Sequence, residues 1–256
     1  MALALVTIPC LSDNYAYLLH DGTSGETALV DVPEAAPILA ALAERGWRLS
    51  HVWLTHHHDD HVQGLPEILA AFPEARVTGA RADQHRLPKL DLAVEEGDRL
   101  CLGGEQGRVL DVSGHTLGHL AFHFPDSDIA FTADSLMAFG CGRVFEGTFP
   151  QMYQSLRKLA ALPPRTRICS GHEYTLSNAK FARTIEPENS ALISRLDAVE
   201  AARAAGRPTV PSLLSEELAT NPFLRADQPG VAANMGLPSA DPAEVFAEIR
   251  RRKDAF

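Results

Sequence analysis

The feature that most constrains this chain is a run of metal-ligating side chains at the end of an apolar segment: THHHDDH, residues 55–61. The residues before it, Ser50 to Thr55, predict a β-strand, and the residues after it predict a helix. Side chains alternate in an extended segment, so His56 and His58 point to one side and His57 to the other. Two imidazoles two positions apart suit one ion, each nitrogen about 2.0–2.1 Å from it in the case of zinc. Where the chain turns into the helix, Asp60 and His61 can face the same cavity from another angle. Four potential ligands within so short a run would occupy every position of one tetrahedral ion and leave none open for chemistry, and the pattern predicts two metals. A solvated His-rich loop or a tag is the alternative; the internal position and the interleaved acids argue against it.

Further ligands are expected where later strands end. His115 lies in SGHTLGH after GRVLDV, Asp134 ends DIAFTAD, and His172 follows RICSG. Each polar residue comes directly after an apolar β-run, at the strand end where sites on such sheets gather. His57 is expected to orient the loop, and His119 and His123 to lie behind the ligands or in the core. His20, His51 and His85 have no supporting pattern.

The strand at 26–32 (ETALVDV) is followed by a helical pattern from Ala35 to Arg45 that stops at Gly46. Leu65, Ile68, Leu69 and Phe72 lie at helical spacing, before a strand near Arg76 to Gly79. From Gly97 to Asp134 the texture changes to short strands with glycine turns. A helix from Gln151 to Leu162 and a strand at Arg167 to Ser170 follow. Beyond Tyr174 no strand is predicted: residues 175–205 read as helices broken at EPEN, with others at Ser212 to Ala219 and Pro242 to Lys253, the last capped by Asp241. The expectation is an α/β (α+β) domain over 1–172 and an all-helical part over 173–256.

With 256 residues and 45% hydrophobic content the chain can bury a large core. Its formal charge of −10 argues against nucleic acid or an anionic membrane as partner. An anionic substrate would then need a local basic cluster, and Arg250, Arg251, Arg252 and Lys253 offer one. Cys10, Cys101, Cys141 and Cys169 form no C-x-x-C pair and read as free thiols of a reducing compartment. No apolar run approaches the length of a membrane span and no leader pattern stands at the N-terminus, so a cytoplasmic protein is expected.

THHHDDH, GHTLGH, Asp134 and His172 together resemble the metallo-β-lactamase superfamily, whose fold is an αββα sandwich. CGRVFEGT (Cys141 to Thr148), GHEYT (Gly171 to Thr175), KFARTIEPEN (Lys180 to Asn189) and RRRKDAF (Arg250 to Phe256) resemble the glyoxalase II, or hydroxyacylglutathione hydrolase, family within it. The likeness spans essentially the whole chain, including the C-terminal helical part, which would receive glutathione.

The resemblance implies that His56, His58 and His115 hold one divalent ion, that Asp60, His61 and His172 hold the other, and that Asp134 bridges them. Zinc is the first expectation for both ions, with iron or manganese also suited to such ligands. It further implies a bridging hydroxide that attacks the thioester of an S-(2-hydroxyacyl)glutathione such as S-D-lactoylglutathione. A monomer is expected. Arg143, Tyr174, Arg250 and Lys253 fall where the family contacts the peptide. The chain departs from the family at Arg143, which replaces a lysine, at Phe145, which lacks the usual tyrosine hydroxyl, and at Asp59, where an aromatic residue is common. The competing reading on the same fold is an iron-dependent persulfide dioxygenase, which uses one iron on two histidines and an aspartate. A lactonase or ribonuclease, or a scaffold without activity, would leave the glutathione-type segments or the full ligand set unexplained.

Overall fold

A computed structural model describes residues 2–256. The chain forms two compact units, one running to Asp111 and including Leu117–Thr132, the other made of Val112–Thr116 and Ala133–Phe256.

The first unit begins with an antiparallel hairpin, β1 (Ala4–Cys10) and β2 (Asn14–His20), in which Cys10 faces Asn14 and Ala4 faces His20. This hairpin is absent from the sequence expectation, which starts its strands at residue 26. Pro9 sits inside β1, which a sheet tolerates because β1 is its edge strand. β2 is buried along both faces and so lacks the two-residue alternation that signals a strand. β3 (Thr27–Val30) continues antiparallel to β2.

From there the connections become parallel crossovers. α1 (Ala35–Arg45) leads to β4 (His51–Trp53), which lies parallel to β3. α1 buries Ala35, Ile38 and Leu42 on one stripe and ends at Gly46, whose φ of 66° lets its N–H reach back to the last turn. The short helices α2 (Asp59–Val62) and α3 (Leu65–Ala71) lead to β5 (Arg76–Ala80), parallel to β4, and β6 (Leu92–Val94) closes the sheet. A second, antiparallel group follows: β7 (Arg99–Leu102), β8 (Glu105–Asp111), β9 (Leu120–Phe124) and β10 (Ile129–Ala133).

The core of this unit lies between the two groups of strands. Trp53 of β4 stacks on Phe124 of β9 with ring centroids 5.2 Å apart and meets Phe122, while Tyr17 of β2 packs on Phe131 of β10. Gly107 of β8 makes room for Phe124, since a Cβ there would lie 2.6 Å from the ring.

The second unit carries the hairpin β11 (Leu136–Met137) and β12 (Gly140–Cys141), then α4 (Phe149–Ala160), capped by the Thr148 hydroxyl. β13 (Arg167–Ser170) precedes α5 (Thr175–Ile185) and α6 (Ser190–Ala204), the latter capped by Asn189. β14 (Ser212–Leu213) pairs antiparallel with β13, and α7 (Leu214–Thr220), α8 (Pro229–Asn234) and α9 (Pro242–Asp254) complete the chain. β14 corrects the expectation of helix from Ser212 onward and of no strand beyond Tyr174. Two residues are too few to show a periodicity, and they are extended because β13 offers them an edge. Phe181, Phe223, Phe246 and Tyr153 form a chain of ring contacts among these helices, with centroids 5.7–6.2 Å apart.

Because Trp53 is almost wholly buried, Trp53→Ala should destabilise the protein by about 3–5 kcal/mol in a urea titration. A loss below about 1 kcal/mol would show that the stack on Phe124 does not anchor the core.

Candidate metal centre

In the first unit the backbone beyond β4 is pinned before the ligands begin: Leu54 N–H donates to Thr78 O, and Thr55 O accepts from Leu120 N–H. His56 Nε2 and His58 Nδ1 then converge to 3.1 Å. His57 turns the other way, its Nδ1 3.5 Å from Asp83 Oδ2. α2 brings His61 Nε2 to 3.8 Å from Asp60 Oδ2, and Asn14 steadies Asp60 by donating from Nδ2 to its carboxylate and its carbonyl at 3.0 Å. His119, from the first turn before β9, stacks on His56 at 4.6 Å. Asp59 is exposed in the first turn of α2, so the loss of an aromatic residue there removes no core packing.

Asp31 is the residue that sequence reading passed over. It follows β3 within the ETALVDV run at a φ of 57° and is buried. Its carboxylate accepts from Thr55 N–H, from the Thr55 hydroxyl and from His61 Nδ1, all at 2.8–2.9 Å. Since the hydroxyl spends its one proton on Asp31, its lone pair must accept from His56 Nδ1, 3.0 Å away. Both His56 and His61 are thereby fixed with the proton on Nδ1 and a lone pair on Nε2. This is the arrangement in which a carboxylate behind the ring prepares a histidine for a cation. The signal in the sequence is an acid directly after an apolar strand, the same signal that marks Asp134.

In the second unit Asp134 follows Ala133, a non-glycine residue at φ 39°, and Ala133 O accepts from Gly171 N–H beside His172. Asp134 Oδ2 lies 3.4 Å from His115 Nε2 and 3.3 Å from His172 Nε2. His115 Nδ1 donates to Arg143 O at 2.7 Å. With Nδ1 as the donor, a neutral imidazole presents its Nε2 lone pair toward a carboxylate oxygen, and two acceptors so placed repel unless a cation intervenes. A proton between charged partners would draw them to about 2.7–2.9 Å. The spacing seen here instead matches the edge of a tetrahedron with 2.0–2.1 Å bonds, about 3.3–3.4 Å. The donors thus fit a divalent metal. Gly142 is required against this group, because a Cβ there would lie 2.0 Å from Asp134 O. His172 stacks flat on Tyr174, with rings 4.6 Å apart and 7° from parallel.

Beside these residues, in the same unit, the basic cluster is real and local. Asp254 Oδ1 is shared by Arg250 Nη2 at 3.0 Å and Arg143 Nε at 3.3 Å, while Lys253 Nζ donates to the Ser177 hydroxyl at 3.4 Å. Burial, and next the Arg250 charge, hold the Lys253 ammonium below the usual lysine range. Arg250 is itself buried, donating to Cys141 O at 2.9 Å and lying over the Phe223 ring. Burial pushes the neighbouring Cys141 thiol up to about 11, against the opposing Arg250 charge, which leaves it protonated at neutral pH. Phe145 is exposed, packs against His115 at 5.3 Å and lies beneath Arg143. It offers a ring face where the family offers a hydroxyl.

Comparison with known proteins agrees with this geometry. Residues 12–172 match the family model of the metallo-beta-lactamase superfamily, and residues 173–256 match that of the hydroxyacylglutathione hydrolase C-terminus. The hydroxyacylglutathione hydrolase of Cereibacter sphaeroides is 64% identical over 256 residues, and that of Ruegeria pomeroyi 63%, each alignment covering all of both chains. Among solved structures, ETHE1 from Myxococcus xanthus superposes with a TM-score of 0.66 at 24% identity, covering 98% of this chain and 90% of that one. That likeness shows a shared fold and no more. With relatives this similar along its whole length, and with both family models matched, the chain belongs to the hydroxyacylglutathione hydrolase family of the metallo-beta-lactamase superfamily.

Proposed function

We propose that this protein hydrolyses S-(2-hydroxyacyl)glutathione thioesters, S-D-lactoylglutathione among them, to glutathione and a 2-hydroxy acid. In this reading His56, His58 and His115 hold one divalent ion, Asp60, His61 and His172 hold a second, and Asp134 is shared by both. The observation that carries it is the single Asp134 oxygen set between the Nε2 atoms of His115 and His172 at tetrahedral-edge spacing. Family membership supplies the thioester. Zinc is the ion we assign, since imidazole and carboxylate ligands suit it.

When bound, such ions supply a hydroxide at neutral pH and a positive counter-charge for the oxyanion of an acyl-transfer reaction. The chain's own residues do the rest. Asp31 keeps His56 and His61 in the tautomer that presents Nε2, and Arg143 O does so for His115. Asp60, taken up as a ligand and held by Asn14, is not free to serve as a base. A dedicated general acid is not needed, because a thiol of pKa about 8.5 departs as thiolate near neutral pH.

Glutathione carries carboxylates into a protein of net charge −10. Arg143, Arg250 and Lys253, only partly neutralised by Asp254, form the local positive field that offsets this, and the exposed Tyr174 ring stands over His172. We assign the peptide to residues 173–256 together with Arg143, and the chemistry to residues 1–172. No helix among the described residues is long and apolar enough to cross a membrane. The four cysteines are unbridged, which supports assignment to the reducing cytoplasm; we assign the protein as a monomer.

Elemental analysis of the purified protein, paired with thiol release from S-D-lactoylglutathione before and after chelation, tests the whole reading. Chelation should abolish thiol release and added zinc should restore it. Oxygen consumption with glutathione persulfide in place of thioester cleavage would replace the hydrolase by a dioxygenase.

Asp134→Ala should strip the protein of metal and lower kcat/KM by more than about a hundredfold, beyond what the loss of a merely supporting group costs. Full activity in that variant would remove the shared-ligand assignment. Lys253→Ala should raise KM about tenfold at unchanged kcat, the loss of one charge-assisted contact made equally in ground and transition states. An unchanged KM would place the peptide elsewhere.

A further inference from the structure

The hairpin of β11 and β12 sets Leu136 opposite Cys141 and Met137 opposite Gly140, leaving Ala138 and Phe139 as its turn. Phe139 is at φ 55°, a conformation that a bulky side chain takes up only when its surroundings impose it. Those surroundings are side chains from the helices that follow. Phe139 N–H donates to Glu217 Oε2 at 2.8 Å, and Ala138 O accepts from Asn178 Nδ2 at 3.1 Å. Asn221 Nδ2 donates to Met137 O at 3.0 Å and to Gly140 O at 2.9 Å. Glu217 is fully buried, and Arg195 bonds its other oxygen while lying 4.0 Å over the Phe139 ring.

The base of the same hairpin is the metal-ligand region. Asp134 stands two residues before β11, and Gly142 N–H closes the base on Ser135 O at 3.3 Å. The Cα of Gly142 rests against Asp134 O, and the next carbonyl, that of Arg143, orients His115. One short rigid element therefore starts at a ligand carboxylate and ends at the acceptor that sets a ligand imidazole.

We propose that Glu217, with Asn178 and Asn221, is a positioning residue for metal retention: by gripping the tip of this hairpin, the C-terminal helices hold Asp134 and His115 in ligating geometry. The helical part is then a brace for the metal centre as well as the receiver of the peptide. This rests on the reading of Asp134 and His115 as ligands.

The test is zinc affinity of the full-length protein, measured by competition with a chromophoric chelator well below the unfolding temperature, for wild type, Glu217→Ala, Glu217→Gln and Asn178→Ala. Glu217→Ala should bind zinc about tenfold more weakly, with kcat lowered and KM for the thioester within about twofold of wild type. Glu217→Gln, whose amide oxygen can still accept from Phe139 N–H, should recover most of the affinity. Folded Glu217→Ala with wild-type affinity overturns the proposal, and so does Glu217→Gln as weak as Glu217→Ala. If Glu217→Ala does not fold, Asn178→Ala carries the test: the same loss supports the brace and an unchanged affinity overturns it. Wild-type protein that binds no divalent metal sinks the proposed function itself, and the brace with it.

Discussion

Everything in this protein's site depends on where the protons of its imidazoles are held. A histidine is a ligand only through a nitrogen that lacks a proton, and a buried imidazole must satisfy its other nitrogen at the same time. In three of the histidines the second nitrogen is committed to something fixed. His61 gives its Nδ1 proton to Asp31, His56 gives its own to a Thr55 hydroxyl already spent on Asp31, and His115 gives its own to the Arg143 carbonyl. None of these acceptors is a mobile surface group, and the lone pairs on Nε2 follow as a consequence.

That requirement explains the strained backbone around the site. Asp31 at φ 57° and Ala133 at φ 39° each lie in a region that costs a residue with a side chain about 1–2 kcal/mol. Asp31 directly follows a buried strand and Ala133 ends one, and at both the chain turns so that a carboxylate, their own or the next residue's, meets imidazoles rather than continuing the strand. Gly142 does the complementary job by having no side chain where Asp134 O approaches. Strands on this scaffold deliver the candidate ligands, and the turns at their ends set the aim.

Charge is handled in the same local manner. The chain is acidic overall, yet one carboxylate, Asp254, gathers two guanidinium groups near the end of α9 and leaves the cluster net positive. Buried Arg250 also ties α9 to the β12 strand through Cys141 O, so the same side chain contributes to fold and field. A uniformly basic protein would attract polyanions indiscriminately; a small cationic patch on an acidic body favours a small anionic ligand.

The sequence by itself determined which residues are the candidates for metal chemistry, and the class of fold. His56, His58, Asp60 and His61 are legible because they are neighbours in the chain, and His115, Asp134 and His172 because each follows an apolar strand. The helices α1, α4 and α9 were legible as helical patterns, with Gly46 ending α1 and Asp241 capping α9, and α5 and α6 from their content of Ala, Leu, Arg and Glu around the break at EPEN. Only the tertiary structure decided the rest. The β1–β2 hairpin hid behind a proline and a strand buried on both faces, and β14 exists because β13 offered an edge. Asp31, Asn14 and Glu217 gain their meaning from partners tens of residues away, since the identity of an acid or amide says nothing of which donor will be brought to it. Local pattern encodes the side chains a segment can present; long-range packing chooses which atom of each is turned toward its partner, and that choice is what separates a ligand from a buried polar residue.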